Sequence, residues 1–217
     1  MGDWADIGVV SGEDGRARCA WCASAADYVA YHDQEWGRPV VDDRRLYEKI
    51  CLEGFQSGLS WLTILRKRDG FRRAFSGFDA EVVAGYGPAD VERLLTDAGI
   101  VRHRGKIEAT IANARATLVA QERHGSLAAL VWSFEPPREG RPAPRRLGEL
   151  PPVTAESTAL SKALKKLGFR FVGPTTAYAA MESLGLVNDH LAGCHVRDAC
   201  EQDREALGPR PRPTVRD

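Results

Sequence analysis

Residues 42–68 read DDRRLYEKICLEGFQSGLSWLTILRKR and decide the fold class of this chain. Apolar side chains recur there at helical spacing on either side of two glycines: Leu46, Ile50, Leu59, Leu62 and Leu65. Gly54 and Gly58 interrupt the run, and glycine commonly marks a turn between periodic segments. We therefore expect two helices joined by a turn at GFQSG, residues 54–58.

Start and stop signals of further helices follow along the chain. Asp79 is a typical N-cap residue before AEVVAGY, and a segment that opens at Pro88 ends at Gly99. Three later segments also have helical patterns: 106–123, 154–168 and 174–185. The alternating patterns of strands are nearly absent. The sequence therefore predicts an all-α fold.

Composition sets the expected domain organisation. Residues 135–152 hold six of the twelve prolines and four arginines, which favours a flexible or extended linker over a packed element. The first residues, 1–17, and the tail, 201–217, are expected to be disordered. The remaining residues, 18–200, are expected to form a single domain of two helical lobes with the linker inside it.

Charge and hydropathy exclude some function classes. The 217 residues carry 30 Lys plus Arg and 30 Asp plus Glu, so the chain is not a uniformly basic nucleic-acid binder. No run of eighteen apolar residues predicts a membrane span, and the first residues do not have the pattern of a secretory signal. We expect a cytoplasmic protein, in which five cysteines serve as thiols or metal ligands rather than disulfides.

Histidines and cysteines cluster near both ends of the chain. Seven of them are candidate metal ligands: Cys19, Cys22, His32, His190, Cys194, His195 and Cys200. Zinc in a structural site takes four such ligands and leaves no open position. The alternative is that they are ordinary buried or surface residues. Spacing favours a zinc site but does not choose four ligands from the seven.

A second cluster combines aromatic side chains with a carboxylate. Four of the rings lie within sixteen residues, at Trp21, Tyr28, Tyr31 and Trp36, and Trp61 follows later. Glu53 stands between apolar neighbours and could accept hydrogen bonds from a ligand at the floor of an aromatic pocket. Such a pocket would favour a cationic planar ligand. The alternative is that the rings belong to the core and Glu53 to a solvated helix edge.

The third cluster is a basic turn between two predicted helices. One helix ends at Gly99 and the next resumes near Gly105, with Arg102, Arg104 and Lys106 around the turn. Backbone N–H groups at such a turn and a helix N-terminus can hold a phosphate, as in a helix-hairpin-helix. A plain loop is the alternative. A second basic patch lies in LSKALKKLGFR, residues 160–170.

Long stretches of the chain resemble one family of bacterial repair enzymes, 3-methyladenine DNA glycosylase I. They run in the family's order and cover about residues 18–195: YVAYHDQEWGRPV, LYEKICLEGFQSGLSWLTILRKR, DVERLLTDAGIVRHRGKI, ALSKALKKLGFRFVG and GLVNDHLAGC. The resemblance implies the helical fold of the helix-hairpin-helix glycosylase superfamily, with a zinc site that joins the N- and C-terminal segments. It also implies hydrolysis of the N-glycosidic bond of 3-methyladenine in alkylated double-stranded DNA.

The resemblance also implies roles for individual residues. The structural Zn²⁺ would be held by Cys19, His32, His190 and Cys194. The flipped base would be bound by Trp21, Tyr28, Tyr31, Glu53 and Trp61, with Glu53 as the candidate catalytic residue. Contacts to DNA are expected from eight residues: Gly58, Leu59, Gly99, Arg102, Arg104, Gly105, Lys106 and Lys165. The expected partner is damaged duplex DNA, no membrane is involved, and the protein is expected to be a monomer.

The same residues allow two alternative functions. A zinc-stapled helix-hairpin-helix module that binds DNA without catalysis would not need the base pocket around Glu53. A zinc hydrolase would need an open coordination position, which four protein ligands do not leave. Most of the superfamily has a catalytic aspartate after the hairpin, but no Asp occurs between Asp97 and Asp189. That absence fits this family, and a weak catalyst is expected to act only on labile bonds.

Overall fold

The computed structural model describes residues 6–214, and within them the chain is mostly helical. The helices are α1 Ala26–Gln34, α2 Asp43–Gln56, α3 Trp61–Ala74, α4 Ala80–Ala84, α5 Pro88–Thr96, α6 Arg104–His124, α7 Leu127–Trp132, α8 Ala155–Lys166, α9 Pro174–Ser183 and α10 Arg197–Ala206. Two short strands, β1 Val9–Ser11 and β2 Ala17–Cys19, pair antiparallel. The fold is thus helical as expected, with one small hairpin that the sequence pattern did not predict.

Helix α2 lies at the centre and packs against α3, α6, α7 and α9. The Asp42 carboxylate caps it by accepting from the Arg45 N–H at 2.9 Å. The expected turn at Gly54 is wrong, because the helix runs through this residue. Gly54 instead allows close packing, since a Cβ there would lie 3.1 Å from Cβ of Phe171. The turn lies later, at residues 57–60, where Gly58 has a φ of +81°.

The predicted start signals of the other helices are confirmed. Asp79 accepts hydrogen bonds from two backbone N–H groups of α4, and Thr154 caps α8 by accepting from the N–H of Ser157. Pro88 and Pro174 open α5 and α9. These local signals bound the helices on which the site residues lie.

The expected disorder near the N-terminus is wrong for residues 9–17, and residues 1–5 lie outside the described part. The Arg18 guanidinium fixes the β1–β2 hairpin to the domain, since it bonds the carboxylates of both Asp14 and Asp33. Composition could not show this pairing, which joins the hairpin to α1.

The expected disorder of the tail is wrong as well for residues 201–206, which complete α10. Arg204 on this helix is buried, and it bonds Glu135 and the carbonyl of Leu186. Residues 215–217 of the expected tail are not among the described ones.

Residues 135–152 form neither an α-helix nor a strand and have only a short 3-10 turn at Leu147–Glu149, but they are packed rather than free. The N–H of Leu147 donates to the carbonyl of Ile7 at 3.0 Å, and the N–H of Ala192 donates to the carbonyl of Pro144 at 2.7 Å. The segment therefore ties the N-terminal hairpin to the loop before α10.

The two ends of the domain meet. The His195 N–H donates to the carbonyl of Ala17 at 2.9 Å, and the Leu191 N–H donates to Sγ of Cys19 at 3.3 Å. This junction places the cysteines and histidines of both ends side by side. Among the described residues no helix is both long and apolar enough to span a membrane.

Candidate functional site

Four buried side chains from distant parts of the chain converge at this junction: Cys19, His32, His190 and Cys194. Their ligand atoms all lie within 4.8 Å of one another. Sγ of Cys194 is 3.5 Å from Nε2 of His32 and 3.6 Å from Nδ1 of His190, and Sγ of Cys19 is 3.8 Å from the same Nδ1. The structure therefore brings together the four residues that the resemblance implied.

The geometry of this cluster fits a tetrahedral zinc ion. At the tetrahedral angle, bonds of about 2.3 Å to sulfur and 2.0 Å to nitrogen place neighbouring sulfur and nitrogen ligands about 3.5 Å apart. The second nitrogen of each imidazole is already engaged. Nδ1 of His32 lies 2.8 Å from the Asp33 carboxylate, and Nε2 of His190 lies 3.0 Å from the carbonyl oxygen of Trp36. Such partners orient histidine ligands in metal sites.

The other three candidates have different partners. Sγ of Cys22 lies 3.2 Å from the carbonyl oxygen of Cys19, and Sγ of Cys200 lies 3.9 Å from that of Trp36. Nε2 of His195 is 3.4 Å from the Asp33 carboxylate. They surround the cluster without belonging to it, and all five cysteines are free thiols.

Next to the cluster is an open pocket with a volume of about 210 Å³. The five residues expected to bind a base all line it: Trp21, Tyr28, Tyr31, Glu53 and Trp61. Five further residues complete the wall: Trp36, Gln56, Leu150, Ala179 and Glu182. A water molecule occupies about 30 Å³ in the liquid, so this pocket has room for a planar ring.

The aromatic wall is continuous. The distance between ring centroids is 4.9 Å from Trp21 to Tyr28 and 5.1 Å from Trp21 to Trp36. Between Tyr31 and Trp61 it is 5.4 Å. Helix α1 carries Tyr31 into the pocket and the adjacent His32 into the metal-ligand cluster. A metal that fixes His32 would therefore also fix the pocket wall.

Glu53 lies on α2 with only 5% of its surface exposed, and Lys49 lies one helical turn before it. Nζ of Lys49 is 2.9 Å from Oε1 of Glu53, donates to the Tyr31 hydroxyl at 2.6 Å, and lies 3.4 Å from the ring centroid of Trp61. Burial lowers the pKa of Lys49, and the charge of Glu53 opposes that shift. The ammonium group thus touches three residues of the pocket wall.

Two polar groups of the wall have no partner among residues 6–214. The indole N–H of Trp61 is buried and unbonded, and the half-buried carboxyl of Glu182 has no hydrogen bond or ion pair. Burial, followed by the charges of Asp189 and Glu53, raises the pKa of Glu182 well above its ordinary value. Buried polar groups without partners are uncommon, and the Trp61 N–H is left to donate to a ligand in this pocket.

The residues expected to contact DNA lie on three segments outside the pocket. Gly58 and Leu59 form the tip of the α2–α3 turn, and Leu59 is 40% exposed. Gly99 lies in the loop between α5 and α6, with its N–H bonded to the Asp97 carboxylate at 2.7 Å. Gly105 lies in the first turn of α6, and Lys165 is exposed on α8.

The three basic residues of the α5–α6 loop differ in their availability. Arg102 is exposed, and Arg104 is half exposed and paired with Glu92 at 2.7 Å. Lys106 is buried instead, and its ammonium donates to the carbonyls of Phe55 and Ser57 at 2.9 and 2.5 Å. Lys106 is therefore not free for the expected phosphate contact in this structure, because these carbonyls at the end of α2 already bind its ammonium.

Sequence reasoning missed Lys49 and Glu182. Lys49 precedes Glu53 by four residues, the spacing at which side chains on a helix meet, so an i,i+4 pair was a usable signal. Glu182 is the one acidic residue of the otherwise apolar and small-residue helix PTTAYAAMES. Leu150 gave no signal, because it reaches the pocket from the extended segment.

Comparison with known proteins gives a consistent picture. A family model described as methyladenine glycosylase matches residues 21–198. DNA-3-methyladenine glycosylase 1 of Escherichia coli (strain K12) is 51% identical over 177 residues, which cover 82% of this chain and 95% of that protein.

Solved structures have the same fold. A crystal structure of a 3-methyladenine DNA glycosylase I has a TM-score of 0.77 at 50% identity, and covers 82% of this chain and 98% of that one. A structure of 3-methyladenine DNA glycosylase I from Staphylococcus aureus, described as the basis of its 3-methyladenine recognition, has a TM-score of 0.78 at 36% identity. The match covers 83% of this chain and 96% of that one.

Proposed function

Because this chain belongs to the methyladenine glycosylase family, we propose that it hydrolyses the N-glycosidic bond of 3-methyladenine in alkylated double-stranded DNA and leaves an abasic site. The observation that carries the proposal is the aromatic pocket with the buried Glu53 in its wall. A protein that only bound the DNA backbone would have no use for such a pocket.

The pocket suits a flipped, positively charged base. The 3-methylated adenine of a nucleotide carries a positive charge, and electron-rich rings such as Tyr31 and Trp61 attract cations. Flipping this base costs a few kcal/mol, less when the base is damaged. Lys49 engages Oε1 of Glu53, so Oε2 remains to accept a hydrogen bond from a base N–H.

The proposed reaction needs little help from the protein. Water attacks C1′ of the sugar, the electrons of the glycosidic bond pass to the base and neutralise its charge, and the proton of the water leaves to solvent. Glu53, held in the wall by Lys49, orients the base for departure. Because the leaving group is already activated, the missing aspartate between Asp97 and Asp189 is tolerated, and the substrate range is narrow.

Contacts to duplex DNA are proposed for the surface beside the pocket. Leu59, at the tip of the α2–α3 turn, would enter the gap left by the flipped nucleotide, with Gly58 allowing the turn. The loop from Gly99 to Gly105 would act as a helix-hairpin-helix that holds phosphate through backbone N–H groups, assisted by Arg102 and Arg104. Lys165 would add a further phosphate contact. We propose that the protein acts as a monomer in the cytoplasm.

The four-residue cluster is proposed to hold zinc. Cys19 and His32 would supply two ligands and His190 and Cys194 the other two. A bound zinc would supply a cross-link between the two ends of the domain, and four protein ligands would leave no position for a reactive water. Its role would then be structural.

Release of free 3-methyladenine from methylated duplex DNA, separated by chromatography, tests the proposed reaction. The free base should appear together with abasic sites and without strand cleavage. A protein that bound this DNA but released no base would contradict the proposal and favour the non-catalytic DNA-binding module.

A further inference from the structure

Three carboxyl groups lie on or near the pocket, and the available cations are unequally shared among them. Glu53 has Lys49 at 2.9 Å. Asp189 has Arg141 at 3.4 Å and accepts a hydrogen bond from the Tyr178 hydroxyl at 2.5 Å. Glu182 lies in the pocket wall and forms no ion pair and no side-chain hydrogen bond with the described residues.

This distribution disfavours a negative charge on Glu182. An ionised carboxylate there would lie half-buried, near two other carboxylates that keep their own cations. Like charges that share a site of low polarity are not all ionised together, and the group without a partner takes the proton. The raised pKa of Glu182 agrees with this inventory of charges.

A protonated carboxyl differs from a carboxylate in what it offers to a ligand. A carboxylate only accepts hydrogen bonds, whereas a protonated carboxyl has an O–H that donates. Glu53 and Glu182 would then present opposite polarities to the same ring. A purine with an exocyclic amino group and unprotonated ring nitrogens provides a donor and an acceptor to match them.

We propose that Glu182 enters the base pocket as an un-ionised carboxyl group that donates a hydrogen bond to a ring nitrogen, while Glu53, which is paired with Lys49, accepts from the base. This assignment rests on the proposed function and adds a specificity-determining residue to it. The two carboxyl groups differ because Lys49 forms an ion pair with Glu53 and not with Glu182.

Two substitutions distinguish a hydrogen-bond donor at Glu182 from a negatively charged group there. Glu182→Gln keeps the length of the side chain and retains a donor without charge, whereas Glu182→Met keeps the length and removes the hydrogen bond. Binding of free 3-methyladenine is measured through tryptophan fluorescence near neutral pH, with Glu122→Gln, an exposed glutamate on α6, as the matched control. Thermal unfolding of each variant checks that it is folded.

The Gln variant should bind free 3-methyladenine within about threefold of the wild type, and the Met variant about tenfold more weakly, as expected for one lost hydrogen bond. The ratio of wild-type to Gln affinity should fall as pH rises, because only the wild-type group loses its proton. The ligand's own titration cancels in this ratio. Charged groups facing Glu182 are Glu53 and Lys49 on α2, and Asp189 and Arg141 from the loops.

Equal loss of affinity in the Gln and Met variants would overturn the inference, because it would show that the negative charge is needed. Wild-type affinity in the Met variant would also overturn it, because Glu182 would then not touch the base. A wild-type protein that released no 3-methyladenine from methylated duplex DNA would overturn the proposed function itself. The inference fails alone if wild type binds and excises the base but the Gln variant does not.

Discussion

Glu53 and Glu182 face one pocket from helices α2 and α9, and only Glu53 has a cation beside it. The contrast sets the chemistry of the site at the level of single residues. A carboxyl that is poorly solvated and unpaired gives up its charge, and one that is paired keeps it. The free energy of unfolding should therefore depend on pH through Glu182.

The substitution Glu182→Gln should stabilise the protein increasingly as pH rises. Because the folded-state pKa of Glu182 is raised above the unfolded one, its favourable contribution is complete below the unfolded pKa, about 4.3, and is lost as pH rises through the folded pKa. Gln carries no such dependence. Urea unfolding at several pH values measures the difference in free energy, and a difference that did not change with pH would contradict the assignment.

Lys49→Met should weaken the binding of free 3-methyladenine by about tenfold and destabilise the fold by roughly 3–5 kcal/mol, the usual effect of breaking a buried ion pair. Without the ammonium, Glu53 would lie in the pocket wall as an unpaired buried carboxyl group and would lose the contact that orients it. The exposed Lys162→Met on α8 is the control. Binding and unfolding curves measure both variants. Equal affinity and equal stability of Lys49→Met and Lys162→Met would contradict the role of Lys49.

At the scale of elements, α2 and the turn that follows it connect the pocket to the proposed DNA surface. The helix carries Lys49 and Glu53, and its last carbonyls receive the ammonium of the buried Lys106 from α6. A lysine that looked like a phosphate ligand in the sequence is thus a cap that holds the turn at Gly58 and Leu59.

Lys106→Met should therefore loosen residues 57–60 without touching the base pocket. We expect excision from duplex DNA to slow by roughly tenfold, since about 1–2 kcal/mol of charge-assisted hydrogen bonding is lost. Binding of free 3-methyladenine should change little. Comparing the two assays checks the prediction, and a loss of free-base binding as large as the loss of excision would contradict it.

Local sequence signals were enough for most helices, because a cap such as Asp79 or Thr154 acts within one turn. They failed where long-range contacts decide. Helix α7 is short and buried on all sides, so it shows no periodicity. Ser126 caps it locally, and Asp43 adds a distant cap by accepting from the N–H groups of Leu127 and Ala128. The N-terminal hairpin depends on Arg18 in the same way.

The site was predictable only in part, because some of its residues are brought together by long-range contacts. Glu53 and the rings around it were identified through their resemblance to a family, and the structure places them around one pocket. Glu182 lies about 130 residues further along the chain, and nothing in its own neighbourhood indicates that it faces Glu53. Only the packing of α9 against α2 brings the two together.

For the whole molecule, the cluster at Cys19, His32, His190 and Cys194 joins segments about 170 residues apart. Metal binding at such a junction contributes directly to folding, because the unfolded chain does not hold the four ligands together. The same cluster supports the pocket, since His32 is next to Tyr31 on α1.

If the cluster holds zinc as proposed, Cys194→Ser should lose the metal and lower the melting temperature by roughly 10 °C, as a loss of about 3 kcal/mol would in a domain of this size. Cys200→Ser, a buried cysteine beside the cluster, is the matched control and should keep its zinc. Metal quantification with thermal unfolding measures both. Loss of zinc from the Cys200 variant instead would show that the ligand set is mistaken.

The central claim is that the pocket around Glu53 binds and releases the methylated base. Single-turnover excision of 3-methyladenine from methylated duplex DNA tests it most directly when Glu53→Gln is compared with wild type and with Glu122→Gln. We predict that Glu53→Gln slows excision by roughly ten- to hundredfold, as expected for the loss of one buried charged hydrogen bond, and that Glu122→Gln matches wild type. Wild-type excision by Glu53→Gln would contradict the account.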